Sequence, residues 1–405
     1  MKKRFLYLAM GCLGFLCLGV SYAWGVFVVP LEKAFGYSRT ATSLAFTVCC
    51  AMFSIGVLLV GQLAKKLKVG VLMKMAALFV GCGLLLSGFT RHIALLYLTY
   101  SLIAGIGIGM GYNILISVVP SWFPDMTGTA TGILVMCYAF SSAFLSPVVA
   151  KLIGVLGVQM AFRVIGLICF TGLFLVSFFI RYPNMEEYRE LPKQKLRVVE
   201  AHKEIETGKM LRMPLFYVYF ALVVLIGGIG LAVINHTSPI MTEEMLATTA
   251  LATTMVSINA IANGSARMVW GMIFDRIGMM ATWVLICTFG LAAAIVVCIG
   301  ILSGTVVIYI IGSVLAMLAF GGNASTIPLI TRTLFGSEHF AENYGMMNFN
   351  ALFSALFPSL IGTIQNISGG YRVPGMVILA LGILTYAFYL IFLLLYRKEF
   401  GREEK

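Results

Sequence analysis

The chain has 405 residues, with 28 Lys and Arg against 16 Asp and Glu and a formal net charge of +12; 60% of it is hydrophobic and only 11% charged. Soluble domains carry about 25% charged residues, so this composition excludes one and reads as an integral membrane protein. A β-barrel would show short alternating segments, and none is found. The basic excess could suggest nucleic acid in a soluble protein; here it is better read as a topology signal.

Continuous apolar runs of ~20 residues predict membrane-spanning helices. Twelve can be marked, at 5–29, 42–63, 71–90, 93–118, 128–150, 160–181, 214–236, 250–274, 281–302, 305–330, 344–366 and 373–396. The first follows Met1-Lys2-Lys3-Arg4 like a signal peptide. It is longer than the ~7–15 residues of a signal core and lacks a small-residue cleavage site, so it is kept as a span. Between the sixth and seventh runs lies a polar stretch with Pro183 and Pro192. The predicted fold class is therefore an all-α membrane protein of twelve transmembrane helices. It comprises an N-terminal six-helix bundle (1–181), a cytoplasmic linker (182–212) and a C-terminal six-helix bundle with a short cytoplasmic tail (213–405).

An even number of spans puts both termini on one side. Placing them in the cytoplasm leaves 21 Lys and Arg inside and six outside: Lys33, Arg39, Arg91, Lys151, Arg163 and Arg372. That bias sets the orientation of a multi-pass protein of the plasma or inner cell membrane. One cation, Arg267, is left inside a span. The nine cysteines all lie in apolar runs without the loop spacing of a zinc site or disulfide framework, so they read as small buried hydrophobes.

An offset of 210 residues lays Gly61 on Gly271, Gly111 on Gly321 and Asn113 on Asn323, and Pro30 meets Pro239 within one residue of it. Parallel six-helix repeats are a mark of alternating-access transporters with a site near the midplane. After the eighth run, Gly271-Met-Ile-Phe-Asp275-Arg276-Ile-Gly278 resembles the G-x-x-x-D-R-x-G signature of major facilitator transporters. Asp275 and Arg276 are accordingly candidate gating residues. The first-half counterpart, Gly61-Gln-Leu-Ala-Lys65-Lys66-Leu-Lys68, has lysines where the signature has its acid and second glycine. A gate there needs different chemistry.

Arg267 sits about seven residues from the end of its run, roughly 10 Å deep at 1.5 Å per residue. An arginine at a helix centre costs about 2.5–3.5 kcal/mol on insertion scales. One reading makes it a fastener between helices, or a side chain reaching back to the surface. The other makes it an anion receptor, because a planar guanidinium suits a carboxylate and all sixteen acids fall in loops, tails or span edges by the marking above. The second reading is preferred. A proton-driven drug exporter would need an embedded acid; it would also show a Gly-Pro-Gly pattern where the fifth run has Ser146-Pro147.

The glycines of Gly105–Asn113, "GIGIGMGYN", suit close helix packing. Tyr112 and Asn113 either line a cavity or bond a neighbouring helix. Tyr22 and Tyr138 lie deeper than the interfacial aromatic belt. His236, near the outer end of the seventh run, is either structural or proton-sensing.

The stretches "YAWGVFVVPLEKAFGYSRTATSLAFT" (22–47), "GIGIGMGYN" (105–113), "WFPDMTGTATGI" (122–133) and "NGSAR" ahead of "DRIG" resemble the oxalate/formate antiporter family. This is a branch of the major facilitator superfamily and is similar to monocarboxylate transporters. The resemblance implies small organic anions as substrates, Arg267 as carboxylate binder and cavity aromatics at Tyr22, Tyr112 and Tyr138. Oxalate exchangers of that family carry a lysine in span eleven, where this chain has about Ala351 in "NYGMMNFNALFSALFPSLIG". One cation does not neutralise two carboxylates, so a monocarboxylate (formate, pyruvate or lactate) is expected over oxalate. Proton-coupled relatives have an acid one turn before the arginine; here Asn263 occupies that face.

The expectation is a secondary active transporter working by alternating access. The anion pairs with Arg267, and Tyr22, Tyr112, Asn113, Tyr138, Asn263 and Asn323 supply hydrogen bonds and shape. An oxalate/formate-type exchanger and a drug or cation exporter of the same fold are the alternatives. No enzyme, metal or cofactor is expected, since the histidines (His92, His202, His236, His339) are scattered. The expected partners are a small organic anion and the lipid bilayer, without nucleic acid, and a monomer is the working expectation.

Overall fold

A computed structural model describes residues 2–192 and 204–400. The middle of the predicted linker, with His202, and the tail from 401 lie outside the described residues. Every described regular element is helical. Among the described residues, ten helices are long and apolar enough to cross a membrane: α1 (Lys3–Phe35), α2 (Thr40–Leu63), α3 (Val69–Ser87), α4 (Ile93–Trp122), α5 (Thr127–Phe179), α6 (Pro214–Glu244), α7 (Thr249–Ser303), α8 (Val306–Phe335), α9 (Phe340–Ser368) and α10 (Arg372–Glu399). The chain is thus an all-α, multi-pass membrane protein.

Helices α5 and α7 run 53 and 55 residues, more than twice the ~20 a bilayer needs. Each breaks at one glycine, Gly157 (φ 81°) and Gly278 (φ 79°). Side chains with a Cβ enter that backbone region only at a cost. The fifth and sixth apolar runs are the two arms of α5, and the eighth and ninth are the arms of α7. What reads in the sequence as a loop is helical to within a residue of the corner.

Pro30 and Pro239, expected beyond their spans, lie inside helices instead. Proline removes one ladder hydrogen bond. Beyond Pro239 the helix does not stop; it widens into a π-helical stretch, Ile240–Glu244. A second π-helical stretch, Tyr97–Ala104, lies in α4, and α1 tightens to a 3₁₀ form at Gly19–Ala23. Such departures from the α-ladder frequently mark functional positions.

The chain forms two compact units: Met1–Lys195 with Glu338–Asn348, and Leu196–Ser337 with Phe349–Lys405. In unit 1, α4 is the most buried span, and its glycines bring it against α2, where a Cβ on Gly109 would overlap the Phe53 carbonyl. One end of this unit is tied by Arg4 to Asp125 at 2.7 Å, by Tyr7 stacked on Trp122 at 4.0 Å and by the Trp122 indole donating to the Arg181 carbonyl at 2.8 Å. Arg181 then grips Glu187 through two bonds of 2.6 Å, and Asn184 and Glu187 form a capping box on the short helix Met185–Glu190. The Arg181 guanidinium holds the Glu187 carboxyl down at about 2. In unit 2 the core is an apolar cluster from α6, α7, α8 and α10, including Val233, Met255, Val297, Tyr309, Met317 and Ile378.

Candidate functional site

Unit 1 gathers the three predicted tyrosines. The 3₁₀ stretch of α1 carries Tyr22, α4 carries Tyr112 and α5 carries Tyr138. The Tyr22 and Tyr138 rings meet edge-on at 5.0 Å, and Tyr112 meets Tyr138 at 5.1 Å. Phe15 backs Tyr112 at 4.9 Å and Phe53 flanks it at 5.4 Å. Offset and edge-to-face pairs of this kind contribute about 0.5–1.5 kcal/mol beyond area burial. Tyr22 is 47% exposed while Tyr112 and Tyr138 are 7% and 8% exposed. The Tyr138 hydroxyl lies 3.3 Å from Ser21 Oγ. The local fold is fixed by Ser141, whose hydroxyl donates to the Gly19 carbonyl at 2.8 Å, clamping α5 to the 3₁₀ stretch.

Asn113, one residue from Tyr112, is fully buried and fastens helices. Its Nδ2 donates to the carbonyls of Val57 at 2.6 Å and Ala341 at 3.0 Å, and its Oδ1 accepts from Ser117 at 3.0 Å. Asn323, its counterpart in the repeat, donates from Nδ2 to the Val223 carbonyl at 3.0 Å. The related asparagines thus tie α4 to α2 and α8 to α6. The Asn323 Oδ1 stays buried without a hydrogen bond.

Unit 2 holds Arg267. It is 4% exposed and stands on α7 eleven residues before the Gly278 corner, about 16 Å along the axis at 1.5 Å per residue. The helix runs past the predicted end, so the cation is deeper in its helical arm than the sequence marking puts it. Asn259 and Asn263 lie eight and four residues before it, on the same face, and both are buried. Their Oδ1 atoms are buried without hydrogen-bond partners. Asn259 Nδ2 donates to Thr237 Oγ1 at 3.2 Å. The face is pressed onto α8 at Gly321, where a Cβ would meet the Asn263 backbone carbonyl and would lie 3.2 Å from its Oδ1. Trp270 closes the row by donating to the Leu318 carbonyl at 3.0 Å.

Of the candidate gating residues, Asp275 is buried three positions before the corner and Arg276 is exposed. In unit 1, Lys65 forms an ion pair with Glu342 at 2.7 Å.

The sequence reading missed Phe15, Phe53, Ser21 and Asn259. Asn259 was visible as a third polar residue at four-residue spacing ahead of Arg267. Phe15 and Phe53 carried no signal, because an aromatic in an apolar run is indistinguishable from core until its neighbours are placed.

Residues 9–358 match the family described as the Major Facilitator Superfamily. The chain belongs to the major facilitator superfamily. It is 28% identical over 346 residues to the oxalate:formate antiporter of Oxalobacter formigenes, covering 85% of this chain and 80% of that one. It is 23% identical over 352 residues to YhjX of Escherichia coli K12, an uncharacterised transporter of the same type, covering 85% and 84%. Its fold matches the crystal structure of the superfamily transporter FucP with a TM-score of 0.72 at 12% identity, over 96% of this chain and 99% of that one. As a superfamily member, the protein is a transporter of small solutes and not an enzyme.

Proposed function

We propose that the protein exchanges small organic anions in the manner of an oxalate/formate antiporter, with Arg267 as the carboxylate receptor. The observation that carries this is the burial of a permanent cation on the α7 face it shares with Asn259 and Asn263. A buried intramembrane cation marks a substrate or ion pathway, and a guanidinium fork offers a carboxylate two parallel hydrogen bonds. The similarity to the Oxalobacter antiporter supports the same class. A single arginine favours a monocarboxylate on charge alone. The neutral amide of Asn263, on the same face as Arg267, can hydrogen-bond a second carboxylate, so both formate and oxalate fall within the proposed range. The empty carrier is proposed to return more slowly than the anion-loaded one, which favours exchange over net flux.

The arms of α5 and α7 are taken as separate crossings, which makes twelve in two bundles, 1–181 and 213–405, joined by 182–212. The distribution of Lys and Arg places both termini in the cytoplasm.

The test is counterflow in proteoliposomes. Vesicles preloaded with oxalate should take up [14C]oxalate and [14C]formate at least tenfold faster than empty ones, and Arg267→Gln should abolish the difference. Absence of counterflow with both anions, in protein that retains its melting transition, would sink the reading in favour of a drug or cation exporter.

A further inference from the structure

The widened end of α6 carries a polar cluster that the anion site does not use. His236 Nε2 lies 2.9 Å from the Pro358 carbonyl of α9, and its Nδ1 lies 3.1 Å from the Tyr371 hydroxyl at the start of α10. A carbonyl only accepts, so Nε2 carries the proton. In the neutral ring Nδ1 is then an acceptor and Tyr371 is the donor. One imidazole thereby joins three segments of unit 2.

The surroundings are acidic. The Tyr371 backbone N–H donates to Glu244 Oε2 at 3.3 Å, and Arg372 Nε stands 4.0 Å from Glu244 Oε1. Burial, and then the Glu243 and Glu244 carboxylates, push the Tyr371 phenol up from its ordinary value. Residues Leu356–Ser368 contribute no titratable group. From α8, Tyr309 donates to Thr237 Oγ1 at 3.3 Å, and from α7 Asn259 reaches the same hydroxyl. The groups around the imidazole are therefore Tyr371, Glu243, Glu244, Arg372 and Tyr309.

We propose that His236 is a proton-binding site at the end of unit 2 that the charge bias places outside, and that external acid slows transport through it. A second proton turns Nδ1 into a donor. The Tyr371 hydroxyl must then accept from the ring, and its own hydrogen turns away from Nδ1. Both ring bonds become charge-assisted, which roughly doubles their strength. The imidazolium tightens the tie between α6, α9 and α10, and opening of that end becomes slower. The site does not depend on which anion is carried.

His236→Gln is the informative variant. Its amide can donate to the Pro358 carbonyl and accept from Tyr371, as the neutral ring does, but it cannot take up a proton. Two readouts separate the site from the anion reading. First, 15N-histidine NMR of the full-length protein in nanodiscs, assigned by loss of the signal in His236→Gln, should show one ring N–H at pH 8 and two at pH 5.5. Tyr371→Phe should lower that midpoint by about 0.5–1 unit, because the charge-assisted bond it removes is stronger than the neutral one. Second, [14C]formate exchange in proteoliposomes should fall at least threefold between external pH 7.5 and 5.5, a range in which formate stays ionised. In His236→Gln the rate should be near the wild-type pH 7.5 value at both pH values. A ring that stays neutral at pH 5.5 overturns the proposal, as does a pH response that survives in His236→Gln or has the opposite sign. If no anion is exchanged at all, the NMR titration decides alone.

Discussion

Lys65 and Glu342 form an ion pair of 2.7 Å in unit 1 at the position where the signature motif would place an acid. The motif's glycine explains how they meet. A Cβ on Gly61 would lie 2.7 Å from the Glu342 Cα, so the backbones touch and the lysine, four residues on, lies over the carboxylate. The inversion is chemically consistent: with a lysine in the turn after α2, the acid is supplied by the facing segment. Lys65 is largely solvent-exposed, and exposed pairs of this kind contribute about 0.2–1 kcal/mol.

A double-mutant cycle measures that pair. Lys65→Glu and Glu342→Lys should each lower the melting temperature, and the double variant should recover most of the loss, with a coupling of about 0.5 kcal/mol. Gly61→Ala should cost more, about 1–3 kcal/mol, because backbone rather than a flexible side chain must move. Additive effects of the two charge reversals would mean that the pair carries no energy.

Arg267→Lys tests the fork separately from the charge. Lysine keeps a cation but offers no planar pair of donors. Exchange should persist with the half-saturation concentration of formate raised at least tenfold, whereas Arg267→Gln should leave none. Equal activity of wild type and Arg267→Lys would show that charge alone suffices.

The tyrosine cluster separates hydroxyl from ring. Tyr138→Phe keeps the ring contacts with Tyr22 and Tyr112 and loses the hydroxyl beside Ser21. It should leave the melting temperature within a degree or two and weaken apparent anion affinity about two- to tenfold, the equivalent of one hydrogen bond of about 0.5–1.5 kcal/mol. Tyr138→Ala removes the ring as well and should destabilise by about 3–5 kcal/mol. If Tyr138→Phe exchanges formate with unaltered half-saturation, the hydroxyl takes no part in binding.

Much of this was legible because membrane insertion writes itself into composition. Apolar runs located the helices, and a lone cation in one of them was conspicuous at Arg267. The corners at Gly157 and Gly278 were not legible as corners, since hydropathy registers a drop in apolar character and not the backbone angle that makes the turn. Pro30 and Pro239 fell beyond the marked spans, yet the helix continues through both. Asn113 shows the limit for polar residues. Its type permitted cavity lining or helix fastening, and only the positions of Val57, Ala341 and Ser117 reveal that its hydrogen-bonding capacity is taken up. Tyr22, Tyr112 and Tyr138 were legible as deep aromatics and through the family resemblance; Tyr22 meets Tyr138 from the 3₁₀ stretch of α1, which leaves no mark in an apolar sequence.

The linker entrance offers a pH test with a definite sign. The Glu187 carboxyl is held at about 2, below its ordinary value near 4.3. A carboxyl depressed in the folded state contributes stability above its unfolded pKa and loses it as pH falls toward the folded one. The melting temperature of wild type minus that of Glu187→Gln should therefore be positive and constant from pH 7 to about 5, then shrink between about 4.5 and 2. The difference should be small, since the pair with Arg181 faces solvent and is screened by salt. It should shrink further in 1 M NaCl. A difference that stays level down to pH 2 would show that it does not come from the Glu187 charge, since glutamine can still accept the Asn184 backbone hydrogen bond and keep the capping box.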